Sequence, residues 1–246
     1  MIGFKNSVLS NVKTRADGEV FEESDFAKSS YKSIFFKVVF FLAVTILSGF
    51  SWFFIPVDIL YPILVFSSIG VFLALIINIF APRVIPTSVL GVIYGLSEGL
   101  MLGAVLIVLN EVPEFQNIGT LAVLSTLVIF AVTLLLYLSN IVRATNKLRK
   151  ILFIFLISTF IISIFYGIFS IVLEIEIDFL EIGICIAYIL IGTIMLVIQF
   201  DQAESIVLGN APKKYEWEVA FGLFVAILYI FVNLLRLLII LANKKK

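Results

Sequence analysis

Long apolar stretches alternate with short polar ones along most of the chain. A helix that crosses a bilayer needs about 17–25 mainly apolar residues. Seven stretches meet this requirement: residues 34–55, 59–81, 88–109, 118–139, 151–173, 182–200 and 219–242. The polar breaks are short, so consecutive helices must be antiparallel neighbours. The pattern predicts an all-α membrane protein, a bundle of seven transmembrane helices.

Composition supports this prediction. The chain is 62% hydrophobic and 14% charged, whereas soluble domains are about 45–50% apolar and about 25% charged. The net charge is zero, which gives no case for a nucleic-acid partner. Residues 1–33 are polar and contain no apolar signal sequence. We therefore expect a cytoplasmic N-terminal tail (1–33) and a seven-helix transmembrane domain (34–246), with membrane lipids as its surroundings.

Basic residues occur only in alternate loops. The loops after the second, fourth and sixth spans contain them: Arg83; Arg143, Lys147, Arg149 and Lys150; Lys213 and Lys214. The positive-inside rule then predicts a cytoplasmic N-terminus. Seven crossings leave Lys244, Lys245 and Lys246 outside, against this rule. The last segment therefore either crosses or re-enters, and we expect it to cross.

The third span contains "GVIYGLSEGLMLG", in which glycines recur every fourth residue around a carboxylate. At about 100° per residue, Gly91, Gly95, Gly99 and Gly103 form one side of a helix, and Glu98 lies beside them. Small residues at this spacing let helices approach closely in a membrane. Glu98 should thus face the packed interior. It is either a neutral strut between helices or a protonatable, cation-binding group, and the second is the default for an intramembrane acid.

Two further polar groups stand out. The last span collects small and polar residues within about 80° of one another, which predicts a stripe facing the interior: Glu218, Gly222, Ala226, Tyr229, Asn233 and Arg236. Arg236 alternatively extends to the membrane interface.

The sixth span ends in "QFDQAES". Asp201 directly follows the apolar run and should be partly desolvated, with Arg83 as a candidate partner on the same side. Glu204 fits a solvated helix end. Trp217, at the start of the last span, is typical of an interfacial anchor.

Missing residue types exclude several enzymes. The chain has no histidine and one cysteine, Cys185, so the usual zinc ligand and a Ser–His protease are excluded. An intramembrane aspartyl protease needs two aspartates in its spans, and only Asp201 lies near one. A retinal protein needs a lysine in its last helix. We expect no enzymatic activity and no cofactor.

Three segments resemble the Bax inhibitor family: "APRVIPTS", "IYGLSEGLMLG" and "FDQAESIVLGNAPKKYEWEVAFGLFVAILYIFVNLLRLL". The Ala-Pro-Lys-Lys-x-Glu-Trp loop is closest to the prokaryotic branch. The resemblance implies a fold whose C-terminal helix is central, enclosed by six others. It also implies a pH-sensitive calcium leak, association with membrane proteases and, in eukaryotic relatives, protection from cell death.

The resemblance extends to single positions. The family's sixth-span aspartate matches Asp201. Calcium-leak members pair it with a second aspartate on the last helix, and Ala226 occupies that position here. Another acid (Glu204, Glu218 or Glu98) then replaces it, or this branch senses pH differently or not at all. Glu98 is the natural substitute.

These observations lead to one expected function and one alternative. We expect a pH-modulated calcium leak in a prokaryotic inner membrane, with calcium as the transported ion. Glu98 and Asp201 would form a transient calcium site, with Glu204, Glu218 and Asn233 along the pathway. Arg83 and Arg236 would act as gate or ion-pair partners. The alternative is a non-conducting regulator that binds a membrane protease or channel.

Overall fold

The structure, a computed structural model, describes residues 28–54, 59–80, 85–173 and 178–244. Seven long helices account for most of these residues: α1 (Tyr31–Phe50), α2 (Leu60–Phe80), α3 (Thr87–Asn110), α4 (Ile118–Leu138), α5 (Asn146–Leu173), α6 (Asp178–Leu208) and α7 (Tyr215–Asn243). Single 3₁₀ turns follow α1 (Ser51–Phe53) and precede α4 (Pro113–Phe115). Each predicted span overlaps one helix, so the all-α prediction is confirmed.

The helices are long enough to cross a bilayer. Six of them, all except α5, have both the length and the apolar composition of a membrane span in their described residues. Helix α5 has 28 residues, which is about 42 Å at 1.5 Å per residue. Helix α7 is continuous over 29 residues, and this continuity contradicts the re-entrant alternative for the last segment.

Helix α6 is longer than the sequence predicted. It continues to Leu208 instead of ending near residue 200, so Asp201 and Glu204 lie inside a helix. Asn210, with φ of 51°, then turns the chain in the left-handed region. The Ala211 amide donates to the Ile206 carbonyl at 2.9 Å, which completes a common type of helix C-terminus.

The chain forms two compact units. The first contains the described residues of Met1–Val108 together with Gln202–Phe224, that is α1, α2, most of α3 and the adjoining ends of α6 and α7. The second contains Leu109–Asp201 and Val225–Lys246, that is α4, α5, most of α6 and the remainder of α7.

In the first unit, α3 packs on α1 through the predicted glycine ladder. A Cβ added to Gly99 would collide with the backbone carbonyl of Thr45, and one added to Gly103 would lie 2.5 Å from the Gly49 carbonyl oxygen. The contacting atoms are backbone atoms, so only glycine allows this helix separation. The predicted role of the glycines is confirmed.

In the second unit, α6 packs on α7 and α4. A Cβ on Gly192 would lie 2.5 Å from Cγ1 of Ile230 in α7. The Phe200 ring packs against Phe130 and Tyr137 of α4, with centroids 5.6 and 5.7 Å away. One small residue and one aromatic residue of α6 thus make these two helix contacts.

Exposure of apolar side chains agrees with a lipid environment. Phe66 in α2 is 74% exposed and Phe153 in α5 is 66% exposed, and soluble proteins rarely expose such residues in numbers. Helix α7 differs: half of its most apolar stretch is buried, against 11–39% for the other five candidate spans. Helix α7 is therefore the most buried of the six candidate spans.

Candidate functional site

Glu98 is a buried carboxylate near the middle of α3. It is 8% exposed and lies about 17 Å from the start and about 18 Å from the end of the helix, at 1.5 Å per residue. The sequence-based prediction that it faces the packed side of α3 is confirmed. Among the residues that the structure describes, Glu98 has neither a hydrogen-bond donor nor a cation as partner.

Two neighbours of Glu98 on α3, Tyr94 and Ser97, contact other helices. Tyr94, one helical turn earlier, is 5% exposed, and its phenol lies within electrostatic reach of the Glu98 charge. The Tyr94 ring packs edge-on against Phe221 and Phe224 of α7, both with centroids at 5.7 Å. Ser97 is on the side of α2, where a Cβ on Gly70 would collide with its hydroxyl.

This environment limits the state of the carboxylate. An ionised group in an apolar interior is costly without a partner. Glu98 must therefore be protonated, hydrated or neutralised by a bound cation whenever its surroundings are those described. A helix strut built from such a group would lack the hydrogen bonds that make a strut stable.

Asp201 forms an ion pair with Arg149. Its Oδ2 lies 3.0 Å from Nη2 of Arg149, and the two side chains are 16% and 25% exposed. Both residues belong to the second unit. The partly desolvated environment predicted for Asp201 is confirmed, whereas Arg83, its predicted partner, lies outside the described residues. Glu204 is partly buried and lies in α6 four residues before the helix ends at Leu208, so its interpretation as part of a solvated helix end stays a prediction.

The predicted polar stripe of α7 is interior only in its middle. Ala226 is completely buried and Asn233 is 8% exposed. The Asn233 amide donates to the Tyr229 carbonyl of the same helix at 2.8 Å. Glu218 and Arg236 are exposed, so the prediction is wrong at both ends of the stripe. A helix of 29 residues is longer than the part that packs.

Arg236 has a partner that the sequence did not indicate. Its Nη2 lies 2.7 Å from Oε1 of Glu181 in α6, with the side chains 47% and 26% exposed. Both lie in the second unit. The arginine therefore does not point into the interior, and its extension to the membrane interface stays a prediction.

Sequence reasoning missed Glu216, the only fully buried acid in the described residues. It lies in the first turn of α7 and accepts hydrogen bonds from the Ser30 amide, the Ser33 hydroxyl and the Lys37 ammonium. Hydropathy places Glu216 in a polar loop, and its donors lie about 180 positions earlier, so no local pattern reveals the contact. The one local sign of a special role was the position of this acid in "KKYEWE", directly before Trp217.

The described residues contain no cluster of three or more His, Cys, Asp or Glu side chains able to hold a metal. Glu98 belongs to the first unit and Asp201 to the second. A transient calcium site that uses these two residues stays a prediction.

Comparison with known families supports the resemblance noted in the sequence. The family model described as "Bax inhibitor 1 like" matches residues 6–243. The comparison with curated proteins gave no match. The match covers nearly the whole chain, including Glu98, Asp201 and the segment Ala211–Trp217. This integral membrane protein belongs to the Bax inhibitor 1-like family.

Proposed function

We propose that the protein conducts cations across the membrane, with calcium as the physiological ion and with proton concentration as a modulator. The observation that carries the proposal is Glu98: a buried carboxylate at the middle of a membrane helix, with no neutralising partner among the described residues. A buried carboxylate without a partner lowers the stability of the protein. Ionisable groups inside a membrane typically lie on ion pathways, and conduction therefore accounts for its presence here.

The chemistry of Glu98 fits a transient calcium ligand. Calcium prefers hard oxygen ligands, about 6–8 of them, and accepts water and carbonyl oxygens among them. One carboxylate with water gives a weak site, and a weak site suits an ion that must leave again. Protons compete for the same carboxylate, so pH changes its occupancy by calcium.

Asp201 and Arg149 supply a second pH-dependent element at the cytoplasmic side. Protonation of Asp201 removes its charge and weakens the contact with Arg149 across α5 and α6. The pair takes the place that a second aspartate has in the calcium-leak relatives, since Ala226 cannot share a proton. We propose that this ion pair, not an acid pair, keeps Asp201 ionised near neutral pH, so that loss of Arg149 makes this carboxylate respond to cytoplasmic pH.

Calcium flux into lipid vesicles tests the role of Glu98. We expect Glu98→Gln to lower the flux severalfold, because the amide keeps the shape of the side chain but carries no charge. Glu111→Gln is the matched control, because Glu111 directly follows α3 and is exposed. The flux through this variant should equal that of the unmodified protein. Equal flux for Glu98→Gln and Glu111→Gln would remove Glu98 from the pathway.

The role of the ion pair is tested by the pH dependence of the same flux. Arg149→Gln should change the shape of the profile between pH 6 and pH 8, whereas Arg236→Gln, which removes an exposed pair, should leave it unchanged. Identical profiles for both variants would reject the ion pair as the pH-responsive element. Absence of flux at every pH would leave the non-conducting regulator as the function.

A further inference from the structure

The residues before α1 are bound to the loop between α6 and α7. Lys28 and Pro212 form an antiparallel bridge, and the Ser29 amide donates to the Ala211 carbonyl at 3.0 Å. The Ser29 hydroxyl donates to the Ala211 and Pro212 carbonyls at 2.9 and 3.2 Å. Ser29 is 6% exposed, so this contact is a packed one.

Glu216 closes the same contact from the start of α7. One oxygen accepts the Ser30 amide at 2.8 Å, and the other accepts the Ser33 hydroxyl at 2.5 Å and the Lys37 ammonium. Hydrogen bonds to an ionised acceptor are about twice as strong as neutral ones. All three donors come from the beginning of α1, so one buried carboxylate joins the entrances of α1 and α7.

An aromatic cluster connects this contact to the Glu98 region. The Lys37 ammonium lies 4.8 Å from the centre of the Trp217 ring. Phe41, one turn after Lys37, packs against Trp217 and Phe224 with centroids at 5.6 and 5.3 Å. Phe224 in turn packs against Tyr94, which lies one turn before Glu98.

These residues all belong to the first unit. A displacement of the first turns of α7 would therefore disturb the aromatic side chains beside Glu98.

We propose that these contacts form an N-terminal latch: Ser29, Ser30, Ser33 and Lys37 on one side, and Ala211 and Glu216 on the other. The closed latch holds the first turns of α7 against α1 and Tyr94, and its opening changes the rate of the cation pathway. The effect on rate rests on the proposed function, whereas closure of the latch does not.

The position of the latch in the chain suits regulation. It directly follows the N-terminal segment 1–27, which carries charges of both signs: Lys5, Lys13, Arg15, Asp17, Glu19, Glu22, Glu23 and Asp25. A partner that binds this charged segment would act directly beside the latch residues Ser29 and Ser30 in the chain. Because the latch consists of polar bonds, water can replace them when it opens.

Labelling of a buried cysteine measures how often the latch opens. Ala211 is 5% exposed, so Ala211→Cys, in a chain whose single native cysteine is replaced (Cys185→Ala), should react with a water-soluble maleimide only in the open state. The labelling rate follows the open fraction when closing is fast. Glu216→Gln should raise the rate about tenfold or more, because it removes bonds to a charged acceptor. Ser33→Ala, a smaller change, should raise it less.

Lys32→Gln is the matched control for Lys37→Gln. Both lysines lie in the first two turns of α1, but Lys32 is exposed and belongs to no latch contact. Lys37→Gln should raise the labelling rate, and Lys32→Gln should not. Equal rates for the parent, Glu216→Gln and Ser33→Ala proteins would overturn the latch, whether or not the vesicles conduct.

A reversible cross-link tests the effect on the pathway. Opposed residues in an antiparallel bridge have Cα atoms about 4.5–5.5 Å apart, within the range of about 4.4–6.8 Å that a disulfide spans. Lys28→Cys with Pro212→Cys should therefore lock the latch on oxidation and release it on reduction.

Calcium flux in vesicles of the locked protein should change on adding reductant, and vesicles of the protein without the cysteine pair should show no change. Unchanged flux in the cross-linked protein would overturn the regulatory role. No flux in any vesicle would reject the proposed function, while the labelling rates would still decide whether the latch closes.

Discussion

The closest helix contact in the first unit gives a quantitative prediction. A Cβ added to Gly99 would collide with the Thr45 carbonyl oxygen and lie 2.9 Å from Cβ of Ser48. The Thr45 oxygen is a backbone atom, so Gly99→Ala can be accommodated only if α1 and α3 move apart. We expect this substitution to destabilise the protein.

The size of the effect follows from two opposing terms. Overpacking of a close contact costs about 1–3 kcal/mol. Replacing glycine by alanine inside a helix stabilises it by about 0.8–1.0 kcal/mol. Gly183→Ala in α6 is the matched control, because a Cβ there meets nothing within 4 Å. Both variants gain the same helix stability from replacing glycine by alanine. Gly99→Ala should therefore be less stable than Gly183→Ala by about 1–3 kcal/mol, the cost of overpacking.

Unfolding of the purified protein by SDS in mixed micelles, followed by circular dichroism, measures both free energies of unfolding. Gly103→Ala should behave like Gly99→Ala, since its Cβ would lie 2.5 Å from the Gly49 carbonyl oxygen. If Gly99→Ala were as stable as Gly183→Ala, the close packing of α1 on α3 would be refuted.

Two ion pairs give further predictions for the same unfolding assay. Arg149→Gln should lower the free energy of unfolding by about 1–3 kcal/mol, because it removes a hydrogen bond to a charged, mostly buried partner, Asp201. The double variant Arg149→Gln/Asp201→Asn should recover part of this loss; additive losses would show that the two side chains do not interact. Arg236→Gln should change stability by less than about 1 kcal/mol, because its pair with Glu181 is largely exposed. A larger loss would mean that this pair is buried in the membrane-embedded protein.

Much of the fold could be predicted because membrane spans impose strong local rules. Length and hydropathy located all seven helices, and the helical repeat placed Gly91, Gly99 and Glu98 on the packed side of α3. The ends were less predictable. Helix α6 continues through polar residues to Leu208, where hydropathy falls although the backbone stays helical.

The polar contacts were harder to predict because they join distant parts of the chain. Four basic residues lie between positions 143 and 150, and no pattern indicates that Arg149 is the one to reach Asp201. Glu216 appears in the sequence as part of a charged loop, yet it is buried and bonded to Ser30, Ser33 and Lys37 at the start of α1. Its burial depends on donors about 180 residues away, which a local pattern cannot contain.

The stripe of α7 shows the limit of the helical repeat itself. Periodicity correctly grouped Ala226 and Asn233 on a buried face. It gives the direction of a side chain but not the length of helix that is covered, so it wrongly extended the interior face to Glu218 and Arg236.

The central claim is that the chain by itself forms a cation pathway. The most direct measurement is calcium entry into vesicles that contain only lipid and the purified protein, recorded with an enclosed calcium indicator from pH 6 to pH 8. We predict entry above that of protein-free vesicles and a rate that changes with pH. Entry equal to that of protein-free vesicles at every pH would contradict the claim.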